Sequence, residues 1–203
     1  MKLINSVGPN PHVVRMFMAE RGITLALEDI DILKGKNREG DYLKTNPAGQ
    51  SPTLVLDDGS VITEITAICE YLDEKFPGDS LIGKTAEERA QTRRWTRWTD
   101  LNIVEPLANG FRYSEGLPLF QSRFRCLPEA APGLKAKAQD ALAFLDTQLA
   151  ARTNVAGEKF TLADVLLFCF LTFGGAVGQP LNPELQNVGR WYAAAAERPS
   201  AKA

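Results

Sequence analysis

The sequence predicts two domains of different class, an α/β domain over residues 1–77 followed by an all-α domain over residues 85–203. Three observations lead there. Strand-like alternation and a hairpin signal occur only in the first part of the chain. A Pro/Gly-containing linker, Pro77–Lys84, then gives way to Thr85-Ala86-Glu87-Glu88, a capping box that opens a new helix. Beyond it apolar residues recur at helical spacing only, around the run LLFCFLTF at positions 166–173, which is apolar on all sides and so belongs at the centre of a bundle.

In the first domain, Lys2–Asn5 reads as a strand that ends in the loop Ser6-Val7-Gly8-Pro9-Asn10. Pro11 fits the first helical position with Asn10 as N-cap, and Val14, Phe17, Met18 and Arg21 continue a helix that Gly22 stops. Leu25–Leu33 alternates and reads as a second strand, and Lys34–Leu43 as a polar loop with at most a short helix. Asn46-Pro47-Ala48-Gly49 is a turn, after which Gln50-Ser51-Pro52 leads into the apolar run Thr53–Leu56. Asp58-Gly59 predicts a tight hairpin to Val61-Ile62-Thr63. Ala67, Ile68, Tyr71, Leu72 and Phe76 then mark a helix beginning near Glu64. Strand–helix–strand, then strand–hairpin–strand–helix, is the order of a thioredoxin-like domain.

In the second domain the first helix carries Trp95, Trp98, Thr99 and Asn102 on one face and groups Arg93, Arg94 and Arg97 around Asp100. Pro106 should disturb it, because an interior proline removes a helical hydrogen bond. Asn109–Leu119 reads as a loop-rich segment, and Leu134, Ala138, Ala141, Leu142, Leu145 and Leu149 as an amphipathic helix. Thr161 and Asp164 form a second capping box, with Phe160 placed to staple onto Val165. Leu185, Val188, Trp191 and Ala195 predict a final helix.

Composition narrows the function. With 23 basic and 25 acidic residues the net charge is −2, which gives no footprint for nucleic acid or an anionic membrane. No apolar run reaches membrane-spanning length, and the first residues read as strand and turn rather than as a signal peptide. Cys69, Cys126 and Cys169 are odd in number and two lie in apolar helical runs, so they read as reduced packing cysteines of a cytoplasmic protein. No metal-ligand spacing is present.

The richest stretch is Asn46–Lys75. Pro52 begins a strand, one of the few places where a sheet tolerates proline. A cis Ser51–Pro52 bond would turn the Ser51 N–H and C=O outward to pair with an extended peptide. The helix start at Glu64 offers unpaired N–H groups to a carboxylate. Together they suit a small acidic peptide.

NPAGQSPTL, DDG and TEITAICEYLDEKFP resemble the glutathione-binding half of the glutathione transferase family, whose pattern runs N-P-x-G-x-V-P-x-L, then E-S-x-A-I-x-x-Y-L. F-T-x-A-D at Phe160–Asp164 matches its helical half. Ser51 replaces the usual valine, at little consequence because backbone does the binding. Ile65 stands where the family has a serine, leaving the Ile65 N–H and the Thr66 hydroxyl for the γ-glutamyl carboxylate.

The resemblance implies roles for individual residues. Glu64, otherwise a dipole-favoured acid, would meet the γ-glutamyl amino group. Lys34, Lys36 and Arg38 would ordinarily be a solvated loop; by resemblance a basic residue of this loop, or Gln50, meets the glycyl carboxylate, with Lys36 and Gln50 the favoured candidates. Asp100 either pairs with Arg97 or Arg93 on its own helix or reaches the neighbouring subunit's glutathione in a homodimer. His12 reads as surface or pocket rim.

The chemistry is ionisation of a thiol whose ordinary pKa is about 8.5, favoured by helix N-termini and hydrogen-bond donors. The first loop, where the family places its Tyr, Ser or Cys, holds no Tyr or Cys, and its serine, Ser6, lies early. GPNPHVVRMFMAERG with LKGKNREGDYLKTNPAGQSPTLVLDDG most resembles a bacterial and fungal subgroup that lacks this residue. There, groups of the helical domain hold a water near the sulfur, a region occupied here by Tyr113 and Ser114. Asn10 is the first choice as activator, its side-chain oxygen capping the helix while its amide faces the sulfur, with Ser6, Tyr113 and Ser114 in reserve. The expected activity is conjugation of glutathione, as co-substrate, to small apolar electrophiles, with peroxidase activity as a side reaction. The rival is a non-catalytic partner protein of the same fold.

Overall fold

The computed structural model describes residues Met1–Ala203. Cα packing divides the chain into two compact units, Met1–Leu81 with the last two residues, and Ile82–Ala201.

The first unit is built on a four-stranded mixed sheet in the order β2-β1-β3-β4. Strand β1 (Lys2–Asn5) runs parallel to β2 (Ala26–Asp29) and antiparallel to β3 (Thr53–Val55), and β3 pairs with β4 (Val61–Ile62) across the Asp58-Gly59 hairpin. Leu3 and Leu54 face each other in register and are fully buried. So are Val13, Val14 and Phe17 of α1 (Pro9–Glu20) and Ile68 and Leu72 of α3 (Ile65–Lys75), and these two helices pack on each other. The apolar faces read from the sequence therefore close into one core.

Two local expectations are corrected here. Helix α1 starts earlier than expected: Gly8, at φ 111°, is its N-cap, Pro9 its first residue, and Asn10 lies inside the first turn and caps nothing. Proline suits either starting position, and only the left-handed turn that Gly8 permits selects the earlier one. Strand β2 stops at Asp29 instead of running to Leu33. The Ile30 N–H still reaches Asn5 O (2.9 Å), but Asp31 then turns the chain by accepting from the Lys34 N–H at 3.0 Å. The polar loop that follows folds into a 3₁₀ turn at Lys36–Arg38 and the short helix α2 (Gly40–Thr45).

The second unit is all helical: α4 (Ala86–Thr99), α5 (Glu105–Arg112), α6 (Leu117–Phe120), α7 (Ala131–Leu149), α8 (Leu162–Ala176) and α9 (Gln186–Ala196). The Thr85 capping box forms, with Glu88 N–H donating to Thr85 Oγ1 at 3.2 Å and Thr85 N–H to Glu88 Oε2 at 3.3 Å. The irregularity expected from Pro106 takes the form of a π-helical turn at Asp100–Val104, just ahead of it. Asn109–Arg112, expected in a loop, continues α5. Asn109 Nδ2 donates to Glu105 at 2.6 Å and Arg112 to Asn109 at 3.0 Å, side-chain pairs at i,i+4 and i,i+3 that support a helix. Helix α8 is buried on every side from Leu162 to Leu171, as its composition requires. No helix of the protein is long and apolar enough to cross a membrane.

Candidate active site

The stretch that enters β3 is tied down from several directions. Asn46 donates to Gln50 O at 2.8 Å and to Thr53 Oγ1 at 3.1 Å, and accepts from the Ala48 N–H at 3.1 Å. The Tyr42 hydroxyl bonds to the same Gln50 carbonyl and lies 3.1 Å from Thr53 Oγ1. The Gln50 carbonyl is thus spent inside the fold, while its side chain is exposed. Asn37, buried and unremarked in the sequence, donates to Gly49 O at 2.5 Å, and Arg38 to Ala48 O at 3.0 Å. A Cβ at Gly49 would lie 2.9 Å from Asn37 O, so this position must be glycine. The turn leaves Lys36 exposed, paired with Glu39 at 2.9 Å.

Strand register assembles the rest of this site. The β1–β3 pairs Lys2–Val55, Leu3–Leu54 and Ile4–Thr53, carried on two residues, bring Ser6 to Ser51. The Ser6 Oγ indeed lies 2.9 Å from Ser51 Oγ, with Val7 O at 3.1 Å. Ser6 is buried, and Arg15 holds its loop by donating to Asn5 Oδ1 at 2.6 Å and Ser6 O at 3.4 Å. The β3–β4 pairs Leu54–Ile62 and Val55–Val61, continued the same way, run Pro52 toward Glu64. The Ser51–Pro52 bond is cis, as the sequence leads one to expect.

Glu64 is the N-cap of α3 and the one residue other than glycine with positive φ, at 68° with ψ 121°. Such a conformation costs on the order of 1–3 kcal/mol and gathers at functional sites. Its carbonyl receives the Ile68 N–H at 2.9 Å, so the N–H groups of Ile65, Thr66 and Ala67 have no acceptor within the helix. The Glu64 carboxylate is exposed. At α1, prolines 9 and 11 leave Asn10 with the only N–H among the first three helical residues, and the His12 N–H goes to Gly8 O at 3.4 Å. The Asn10 side chain, freed from capping, is half-buried.

Other candidates lie in the helical unit. Asp100 opens the π-helical turn and sits 3.4 Å from the Arg97 guanidinium, the pairing within its own helix. Tyr113 closes α5. Ser114 follows, its Oγ 2.5 Å from both Gly110 O and Glu115 Oε2. In this unit Asp164 is also perturbed: burial pushes its carboxyl up to about 6, against hydrogen bonds from Val155, Thr161 and Trp191. The Asp164 carboxylate reaches back to the Thr161 N–H at 2.9 Å, but the Thr161 hydroxyl also turns to it, at 3.0 Å.

A strained residue at a helix start, with free amides beside an exposed carboxylate, makes a candidate small-peptide site on a thioredoxin-like domain that is followed in the chain by helices. The family follows from comparison. Residues 7–75 match the glutathione S-transferase N-terminal domain and residues 100–199 the glutathione S-transferase C-terminal domain. The chain is 31% identical over 202 residues to glutathione S-transferase 2 of Saccharomyces cerevisiae, covering 96% of this chain and 84% of that protein. It therefore belongs to the glutathione S-transferase family. A solved glutathione S-transferase domain-containing protein of Marinobacter aquaeolei superposes with a TM-score of 0.93 at 32% identity, over 98% of this chain and 99% of that one. Elongation factor 1-gamma of Rattus norvegicus is 30% identical over 171 residues, 82% of this chain but 36% of that protein.

Proposed function

We propose that the protein is a glutathione transferase that uses glutathione as co-substrate and conjugates its thiolate to small apolar electrophiles. The observation that carries this reading is the left-handed Glu64, set by strand register toward Pro52 at a helix start with free amides. The Ser51 backbone pairs with the cysteinyl residue, the Glu64 carboxylate takes the γ-glutamyl ammonium, and the Ile65 N–H with the Thr66 hydroxyl takes the γ-glutamyl carboxylate. Exposed Lys36 and the Gln50 side chain receive the glycyl carboxylate. Residues 1–77 carry this glutathione site and residues 85–203 the electrophile pocket.

At the sulfur, the thiol proton leaves to solvent and the sulfur lone pair forms the new bond to carbon as the leaving group departs. The α1 start, through the Asn10 N–H and side-chain amide, favours the thiolate. Tyr113 and Ser114 are the reserve candidates for activating the thiol. Ser6 supports Ser51 from below. The active form is a cytoplasmic homodimer in which Asp100 reaches the neighbouring glutathione, and peroxide reduction is a side activity.

Turnover of a chlorodinitrobenzene-type substrate tests the reading. The similarity to elongation factor 1-gamma supports a second one, a glutathione-binding partner protein without turnover. Retention on immobilised glutathione would be common to both, so absence of turnover with retention selects the second.

Glu64→Ala should weaken glutathione by at least about tenfold in calorimetry, because a hydrogen bond to a charged group contributes about 1.5–3 kcal/mol. Glu64→Gly should lose the same affinity yet be more stable than Glu64→Ala, since glycine relaxes at positive φ. Unchanged affinity in both variants would remove Glu64 from the site.

A further inference from the structure

We propose that Asn37 is a positioning residue that sets the preference for a complete tripeptide, by locking together the two turns that meet its glycyl end. The inference rests on the reading of Lys36 and Gln50 given above and deepens it. Asn37 follows Lys36 in the 3₁₀ turn, and Gly49 precedes Gln50. Asn37 Nδ2 donates to Gly49 O at 2.5 Å. One bond thus joins the turn that carries the cation to the turn that carries the amide.

The contact is built from both sides. Asn37 is 5% exposed, whereas Lys36 and Arg38 on either side of it are exposed. Gly49 is buried and left-handed at φ 61°, and a Cβ there would stand 2.9 Å from Asn37 O. The two main chains therefore approach as closely as glycine permits. Behind Asn37, the Lys36 N–H donates to Asp31 O at 3.0 Å, which ties the same turn to the chain just past β2. Arg38 adds a second tie, to Ala48 O at 3.0 Å, but from an exposed side chain for which water competes.

The effect is confined to one end of the peptide. The Gln50 carbonyl has donors of its own, Asn46 at 2.8 Å and the Tyr42 hydroxyl, so Ser51 beyond it stays set without Asn37. What Asn37 decides is where the Lys36 turn lies against Gln50. Packing alone does not account for an asparagine here. Its Oδ1 is buried and accepts nothing, an unfavourable arrangement that an apolar side chain of the same size would avoid. The side chain is held there for its donor, and it touches no ligand itself.

Calorimetry on the full chain with glutathione and with γ-glutamylcysteine, the same ligand without its glycine, tests this. The wild type should bind glutathione at least about tenfold more tightly, the share of a carboxylate held by a charged donor. Asn37→Leu keeps nearly the same volume and exchanges one orphaned buried acceptor for another, the Gly49 carbonyl, so its thermal melting should change little. Its preference for glutathione should fall at least about fivefold, while γ-glutamylcysteine binds within about twofold of the wild type. Should Asn37→Leu fail to fold, Asn37→Ala carries the same comparison. Equal weakening of both ligands would make Asn37 a merely structural residue and overturn the proposal, as would an unchanged preference. A wild type that binds both ligands alike would instead remove Lys36 and Gln50 from the site, and this inference with them.

Discussion

Asp164→Ala should cost the helical unit more than about 4 kcal/mol, a large part of the roughly 5–15 kcal/mol stability of an ordinary domain. Asp164 is fully buried. Its Oδ1 accepts from the Val155 N–H at 2.8 Å and Trp191 Nε1 at 2.9 Å, and its Oδ2 from the Thr161 N–H at 2.9 Å and Oγ1 at 3.0 Å. Alanine would strand three buried N–H donors, each at a cost of about 1–3 kcal/mol. Guanidinium denaturation should show a midpoint far below that of the wild type, and a midpoint within error of it would refute the argument.

The same carboxylate has a pH signature. Burial raises its folded pKa from the ordinary 3.8 to about 6, so the contribution of this group to stability is complete below about pH 4 and is lost as pH rises through 6. Asp164→Asn does not titrate there. The stability advantage of wild type over that variant should therefore shrink by about 3 kcal/mol between pH 4 and 7. Other carboxyl groups cancel in the difference, and an advantage that stays constant would show that Asp164 remains ionised throughout.

In the first unit the largest loss is expected from Arg21→Met, about 3–5 kcal/mol, because it leaves a buried carboxylate without its cation. Arg21 Nε lies 2.9 Å from Asp73 Oδ1, close but not aligned as a hydrogen bond, with side-chain exposures of 2% and 7%. The guanidinium also donates to Asp73 O at 3.2 Å, Phe76 O at 2.7 Å and Asp79 O at 2.8 Å, carbonyls at and beyond the end of α3. Asp73 meanwhile accepts from Ser80 Oγ at 2.5 Å and the Leu81 N–H at 3.0 Å, so its charge cannot simply turn to solvent. Arg21→Met/Asp73→Asn should recover part of the loss by removing the stranded charge. Glutathione affinity at moderate temperature should hold in both variants, since Asn10 and Glu64 lie at the opposite ends of α1 and α3. Thermal melting and calorimetry on the same samples separate the two effects, and a single variant as stable as wild type would sink the argument.

The sequence by itself determined whatever depends on neighbours a few residues apart. The change from mixed sheet to helices, the Asp58-Gly59 hairpin, the Thr85 cap and the all-round burial of α8 belong here. Each is set by a turn residue, an i,i+3 hydrogen bond or an apolar period, so the residues that decide it lie side by side in the chain. Local signals that compete were not decided there: Gly8 rather than Asn10 caps α1, Asp31 ends β2 early, and α5 runs on through Asn109. What joins distant residues only the tertiary structure decided. Ser6 meets Ser51, and Pro52 is set toward Glu64, because two antiparallel registers share β3. A register is fixed by which apolar side chains bury together across the sheet, and no single strand contains that information. The same holds for Glu64 at φ 68°, which the surrounding fold imposes, and for the donors from Val155 and Trp191 that meet on Asp164. The residues expected to face glutathione were legible as a motif, but their juxtaposition came from sheet pairing.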